Sequence, residues 1–581
     1  MAAQSTPATV SKSLVRPRLP RLRLTLTTVL CTLVLGLLAL LVVYPVLLLL
    51  IHSFEVGPFG RETRWGIDNW IAAFTEPQLL SALWNTIGLA VTRQIISLVL
   101  AIGVAWLLGA TDLPGARWLE FGFWVTVFLP NLTVLVAWIM LFDGFNGVVN
   151  QLLQRLPFIH GPIFDIYSWW GIVAAHLLSG SVAISVMLLT PAFRNLDSSL
   201  EEASLTSGAS SLGTLVRIVV PILAPAILVV TILSTIRALE SFETELILGA
   251  PTKLDVFSTR IYRIAQREPP EYGMATALSM AVLLLMLPAI VFQQWYSARR
   301  SFATLGSKFV RRRTRLRHWR WPLLAAVALM VLLMTVLPIG LVIMGTFMSL
   351  FGYFNVAQVW SLKNWQVALS NATLINATLN TLIIASGKAV VAMVAFTAIA
   401  YIAVRTRYAA RGALDLLVWL PSTLPGIILS LGFLWLFLGT PFLRPLYGTT
   451  FVLILVTALG SVTLGTQVTK ASLLQLGAEL EEASRSAGAS WWRTMRHIVL
   501  PLIMPTIAVV GVLAFASGAR ATGAVALLST HSNQPLSMLQ LTLLGSNQYG
   551  PASVVGVLLL TMTVGVAVVA RWAGLRFDPT R

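Results

Sequence analysis

The sequence predicts an all-α polytopic membrane protein of about twelve transmembrane helices, set out as two parallel, pseudo-symmetric six-helix halves. Three observations lead to this. The 581-residue chain is 57% hydrophobic and 11% charged, with mean hydropathy +0.83, whereas soluble domains carry about 25% charged residues. Runs such as Leu26–Ile51, Ile222–Leu248, Leu323–Met348 and Ala552–Ala570 can each cross a hydrocarbon core, which takes roughly 20 apolar residues. Finally, one polar stretch occurs twice. Glu201-Glu202-Ala203-Ser204, Gly208, Ile218-Val219-Val220-Pro221 and Pro225 return 280 residues later as Glu481-Glu482-Ala483-Ser484, Gly488, Ile498-Val499-Leu500-Pro501 and Pro505.

Taken in order, residues 1–24 form a basic tail in which Lys12, Arg16, Arg18, Arg21 and Arg23 precede the first apolar run. That run is too long for a signal-peptide core of about 7–15 residues and is followed by no small-residue cleavage site, so it is expected to remain as the first helix. The first half spans 25–297, with membrane segments expected at 25–51, 81–108, 119–142, 167–190, 221–249 and 273–296. An Arg-rich linker, 298–321, leads to the second half, 322–572, with segments expected at 322–348, 376–403, 413–438, 449–470, 501–529 and 551–571. A short tail, 573–581, closes the chain. With the basic N-terminus cytoplasmic, the linker, both repeated loops and the C-terminus fall on the cytoplasmic side as well. This is the side on which Lys and Arg accumulate, and the two halves then run parallel.

The repeat extends beyond the loop. Asn85-Thr86 and Asn380-Thr381 open the second span of each half at a displacement of 295 residues, which Arg93 and Lys388 share. Longer loops in the first half, around Asp143–Ile166, account for the change from 295 to 280. The net charge of +18 does not indicate a nucleic-acid partner, because the cations crowd Arg299–Arg320 and the C-terminus. They belong to topology and anionic lipid contact. The only cysteine, Cys31, excludes an intramolecular disulfide and a cysteine-based metal site.

Chemically, the repeated stretch reads as two short helices joined by a turn. Glu201 and Glu202, like Glu481 and Glu482, favour a helix start, where the dipole accepts negative charge. Gly208 and Gly488 can take the positive φ that ends it. Pro221 and Pro501 are expected to open the next membrane helix, where a missing N–H is tolerated. The pattern resembles the "EAA loop" of permease subunits in bacterial binding-protein-dependent ABC importers: Glu-Ala-Ala, three residues, Gly, nine residues, then Ile-x-Leu-Pro. Both copies match the spacing, with Ser204 and Ser484 in place of the second Ala and Val220 in place of Leu.

That resemblance implies a fused, two-in-one permease of the type I (MetI-like) fold in a bacterial inner membrane, multi-pass, with cytoplasmic termini. Each loop would form a coupling helix docking on one of two cytoplasmic ABC ATPase copies, through Glu201, Glu202, Ala203 and Gly208 and through Glu481, Glu482, Ala483 and Gly488. An extracytoplasmic substrate-binding protein would deliver the solute. No cofactor is expected on this chain, since ATP-Mg would be used by the partner. The only Gly-Lys pair, Gly387-Lys388, lacks the remainder of a phosphate-binding loop, so the chain is expected to be a transport subunit and not an enzyme. Segments around Glu245–Gly249, Val256–Tyr262 and Pro269–Gly273 are similar to the iron(III)-transport group, which also resembles thiamine, polyamine and aminoalkylphosphonate permeases. Ferric iron or a small cationic or organic solute is the expected cargo.

Ionisable residues at membrane depth are costly and mark function by default. The first half's fifth span contains Arg237, Glu240, Glu243 and Glu245, and Arg520 in its counterpart holds the position equivalent to Glu240. Two pairings are open: Glu240 with Arg520 across the halves, or Glu240 with Arg237 three residues back. Arg93 and Lys388 either line a pathway or extend to neighbouring carbonyls. His176 has no second histidine or carboxylate at helical spacing and reads as a packed, hydrogen-bonded side chain. The rival class is an ion-coupled secondary transporter, also built from parallel six-helix halves and driven through Glu240, Glu243 or His176. It leaves the repeated loop unexplained. A membrane enzyme would need a paired constellation that the spans do not show.

Overall fold

The structure, a computed structural model, describes residues 26–57, 63–196, 203–204, 206–299, 314–406, 408–572 and 574. Glu201 and Glu202 therefore lie outside the described residues. Among those described, eight helices are long and apolar enough to cross a membrane, and three bent pairs bring the number to eleven. The helix Tyr272–Arg299 occupies the place of the first half's sixth span. One small ribbon, Glu55–Val56 against Arg64–Trp65, follows the first helix.

Three expected spans are broken. The segment expected at 119–142 is Ala116–Phe128 followed by Asn131–Phe142, bent by 102°, and that at 413–438 is Arg411–Thr423 followed by Gly426–Gly439, bent by 111°. Pro130 and Pro425, 295 residues apart, are the cause. A proline donates no N–H and forces its predecessor out of the helical region, and Leu129 (ψ 136°) and Leu424 (ψ 120°) are indeed extended. The fourth span of the second half bends by 55° between Leu459 and Val462.

The fifth spans begin and end earlier than expected. They run over Ser211–Leu239 and Trp491–Ala519, so Pro221 and Pro501 lie inside a continuous helix and do not open one. Each proline follows, by two residues, a wide π turn: Leu215–Val219 and Met495–Val499. A third such turn, Leu332–Val336, precedes Pro338 in the same way. The wider turn accommodates the ring and the missing donor without ending the helix.

The two halves interlock through their first spans. Leu26–His52 packs on Arg411–Trp419 and Gly426–Gly439 of the second half, and Arg317–Thr346 packs on Ala116–Phe128 and Asn131–Phe142 of the first. Small residues permit this: a Cβ on Gly432 would lie 3.1 Å from Pro45 Cβ, and one on Gly122 would lie 2.2 Å from Val331 Cγ1. The main buried cluster accordingly mixes both halves, with Leu49, Leu135 and Trp138 beside Phe433 and Phe437. Leu30, Leu33, Leu37 and Leu40 stay exposed along the first helix, as a lipid-facing stripe requires.

The repeated Asn-Thr pairs act as staples. Asn85 Nδ2 donates to the Asp255 carbonyl (3.0 Å) and Thr86 Oγ1 accepts from Phe257 N (3.0 Å). In the second half Asn380 Nδ2 donates to the Gln534 carbonyl (3.3 Å) and Thr381 Oγ1 accepts from Leu536 N (2.8 Å). Each second span thereby holds the irregular segment beyond the fifth, satisfying backbone groups that a bilayer would leave unpaired.

Candidate functional site

The fifth spans stop at Leu239 and Ala519, and the charged residues gather around these two ends. Arg93 Nη2 donates to the Arg237 carbonyl (3.3 Å) and Lys388 Nζ donates to Ser517 Oγ (2.9 Å). Arg237 and Ser517 are equivalent at the 280 displacement, so each half has one buried cation of its second span tied to the end of its fifth. Both cations thus bond to a neighbouring group. Arg93 also lines the cavity described below.

Neither expected Glu240 pairing forms an ion pair among the described residues. Arg520 instead reaches across the halves and donates through Nη1 to the carbonyls of Val127 and Leu129, the latter at 3.4 Å. Those carbonyls are freed by the Pro130 break, and a guanidinium is a suitable donor to two of them at once. Glu243, at the start of the short helix Glu243–Leu248 that follows the break, lies in the field of Arg520 and beside Thr522. Glu240 is attracted by Arg237, yet its Oε1 is buried with no hydrogen-bond partner.

His176 is not lone. Its Nε2 lies 2.8 Å from Glu245 Oε1, and Ser241 Oγ donates to Glu245 Oε2 at 2.5 Å. Glu245 is 1% exposed and also feels the charge of Arg93. The pair spans 69 residues of sequence, so helical spacing could not reveal it. The available signal was a third acid, Glu245, inside the expected fifth span. His176, Ser241 and Arg93 border a cavity of about 350 Å³ walled also by Gln94, Glu240, Phe242, Ile184 and Ile427, with Arg237 at its edge. Gln94, which sequence reasoning passed over, is buried there with Nε2 unpartnered.

The repeated polar loops form a second site, and their described residues make the same turn in both copies. Gly208 (φ +87°) and Gly488 (φ +81°) take the left-handed conformation, which glycine alone adopts without cost. Ser204 Oγ meets Thr214 Oγ1 at 2.9 Å, and Ser484 Oγ meets Thr494 Oγ1 at 2.8 Å. The serines that replace the second alanine thus bind the two arms of each loop together. Ser210 and Ser490 cap the following helix by accepting from Gly213 N and Arg493 N. In the second loop, helix Glu479–Ser486 exposes Glu482 and Ala483 while Glu481 turns inward. Glu481 pairs with Arg405 Nε at 3.0 Å and accepts from Tyr401 Oη at 3.1 Å, fixing the loop to the end of the second span. Ala203 is exposed, and apolar side chains stand outward in both copies: Leu212 and Val216, then Leu480, Trp491 and Trp492.

A duplicated bundle of apolar spans, several of them broken, with a polar cavity between them and outward-facing polar loops defines a membrane transport protein of the permease class. Residues 97–302 and 395–580 match the family described as "Binding-protein-dependent transport system inner membrane component". With both halves matched, the chain belongs to that family, and it is a fused permease. It is 26% identical over 497 residues to the putative ferric transport system permease protein FbpB 1 of Haemophilus influenzae, covering 84% of this chain and 76% of that one. It is 28% identical over 275 residues to the lactose transport system permease protein LacF of Rhizobium radiobacter, covering 45% of this chain and 91% of that one. Among solved structures, a chain of a bacterial ABC transporter that imports the acidic polysaccharide alginate aligns with 47% of this chain and 95% of its own, at 20% identity and TM-score 0.40.

Proposed function

We propose that this permease works in an ATP-driven importer, with both termini cytoplasmic. Its two repeated loops dock on two copies of a cytoplasmic ABC ATPase, and an extracytoplasmic binding protein supplies the solute. The observation that carries this reading is the matched geometry of the loops: the same positive-φ glycine, the same Ser–Thr bridge and the same serine cap recur at equivalent positions. Each loop continues through a π turn into a fifth span, so a push on the loop tilts that span and moves the charged end at membrane depth. Such coupled tilting is what alternating access requires. Exposed Leu480, Trp491 and Trp492 beside charged Glu482 and Arg493 suit a protein partner, since aromatic side chains anchor interfaces. The cargo falls within ferric iron or small cationic or organic solutes, the range suggested by the ferric permease relative and by the mixed charges of the cavity.

Uptake into sealed vesicles holding the permease, its ATPase and its binding protein tests this. Accumulation should require ATP and survive a protonophore. Uptake that persists without ATP and collapses with the protonophore would establish ion-coupled transport instead.

A further inference from the structure

The cavity at the end of the first half's fifth span holds two buried polar groups with nothing to bind. Glu240 Oε1 accepts no hydrogen bond and Gln94 Nε2 donates none, and both residues wall the same space of about 350 Å³. Gln94 is 7% exposed. Both atoms are shielded from the cavity as it stands, and leaving such groups unmet is costly, more so for a carboxylate, so an occupant that draws both side chains inward is the natural complement. The Arg237 guanidinium, exposed at the edge of the cavity and without an ion-pair partner among the described residues, offers a positive charge beside the negative one.

The internal duplication isolates these three residues. Arg93 and Lys388 do the same structural work in both halves. By contrast, Gln94 corresponds to Ala389, Arg237 to Ser517 and Glu240 to Arg520. Of the charged and polar groups that line the cavity, which also include Arg93 and Glu243, these three have no like residue at the equivalent position of the second half, so the duplicated scaffold does not require them.

We propose, resting on the permease reading, that this cavity binds the transported solute and that the solute is a small zwitterion. Glu240 receives its cationic end, and Gln94 with Arg237 receives its anionic end. The volume lies at the lower end of small-molecule sites, roughly 300–1,000 Å³. A bare metal cation fits the surroundings poorly. Among the described residues no group of three His, Cys, Asp or Glu side chains is placed to hold one, and Arg93 and Arg237 at the same cavity repel it.

The full-length protein, purified in lipid nanodiscs without ATPase, is titrated with glycine, β-alanine and γ-aminobutyrate, and with n-butylammonium, butyrate and ferric citrate. At least one of the three zwitterions should bind, and n-butylammonium and butyrate should bind more weakly by about tenfold or more. Glu240→Gln and Gln94→Leu should each weaken the zwitterion by about tenfold, while the unliganded melting temperature of Glu240→Gln does not fall. Equal binding of n-butylammonium or butyrate overturns the proposal. So does binding of ferric citrate with no zwitterion bound, no zwitterion binding at all, or binding unchanged in both variants. Because binding is read without ATP, these outcomes are independent of the uptake experiment. Zwitterion binding alongside ATP-independent uptake would sink the importer reading and leave the site standing.

Discussion

Lys388 Nζ sits 2.9 Å from Ser517 Oγ, at the place where Arg93 in the other half reaches the Arg237 carbonyl. The two joints are equivalent in position but not in surroundings. Arg93 stands near Glu245, whereas Lys388 stands in the repulsive field of Arg520. Lys388→Met therefore removes a buried charge that has little compensation, and its thermal stability should stay within ~1 kcal/mol of the parent or rise. Arg93→Met leaves Glu245 without its nearby cation and the Arg237 carbonyl without a donor, and should cost ~1–3 kcal/mol. Equal losses in melting experiments on the purified protein would contradict this asymmetry.

Arg520 serves the broken third span of the other half and is not paired with Glu240. Arg520→Gln should destabilise the protein by ~1–3 kcal/mol by leaving the Val127 and Leu129 carbonyls short of a donor. Glu240→Gln should be neutral or stabilising, since its Oε1 has no partner to lose. In a double-mutant cycle the coupling should stay below ~0.5 kcal/mol. A favourable coupling well above that would mean the two residues do pair.

The interlocking of the halves can be tested at one contact. A methyl group at Gly122 would meet Val331 Cγ1 at 2.2 Å, and Val331 is β-branched and cannot swing away. Gly122→Ala should cost ~1–3 kcal/mol by overpacking, and adding Val331→Ala should recover most of that loss. If the second change gives no recovery, the first span of the second half does not pack on Ala116–Phe128.

For the loops, Gly208→Asp together with Gly488→Asp separates folding from coupling. A Cβ at either position meets nothing within 4 Å, so the cost is limited to the left-handed backbone, ~1–2 kcal/mol per residue and less for Asp, which tolerates that conformation. The double variant should insert and purify normally, lose ATP-driven uptake and retain less ATPase on co-purification. Full uptake would remove the coupling role from these loops.

How much of this was legible in advance can be followed residue by residue. The duplication, the apolar spans, the Asn85-Thr86 and Asn380-Thr381 pairs and the Gly208 and Gly488 turns are local patterns, and local patterns survive in a linear string. The helix breaks were half-legible: Pro130 and Pro425 recur 295 residues apart, but a proline in an apolar run permits a kink, a π turn or a full break. Pro221, Pro338 and Pro501 took the second course, and Pro130 and Pro425 took the third.

By itself the sequence determined that the chain is a two-fold repeated, membrane-embedded helical bundle, because hydropathy and spacing are properties of neighbours along the chain. It also placed charge near the ends of the fifth spans. Which charges meet was decided only by the tertiary structure. Arg520 finds carbonyls more than 390 residues away, His176 finds Glu245 across 69 residues, and Glu240 is left facing a cavity. In a medium that offers no water, each ionisable side chain takes whichever donor or acceptor the folded backbone brings within reach, and a broken span brings carbonyls that no sequence pattern displays.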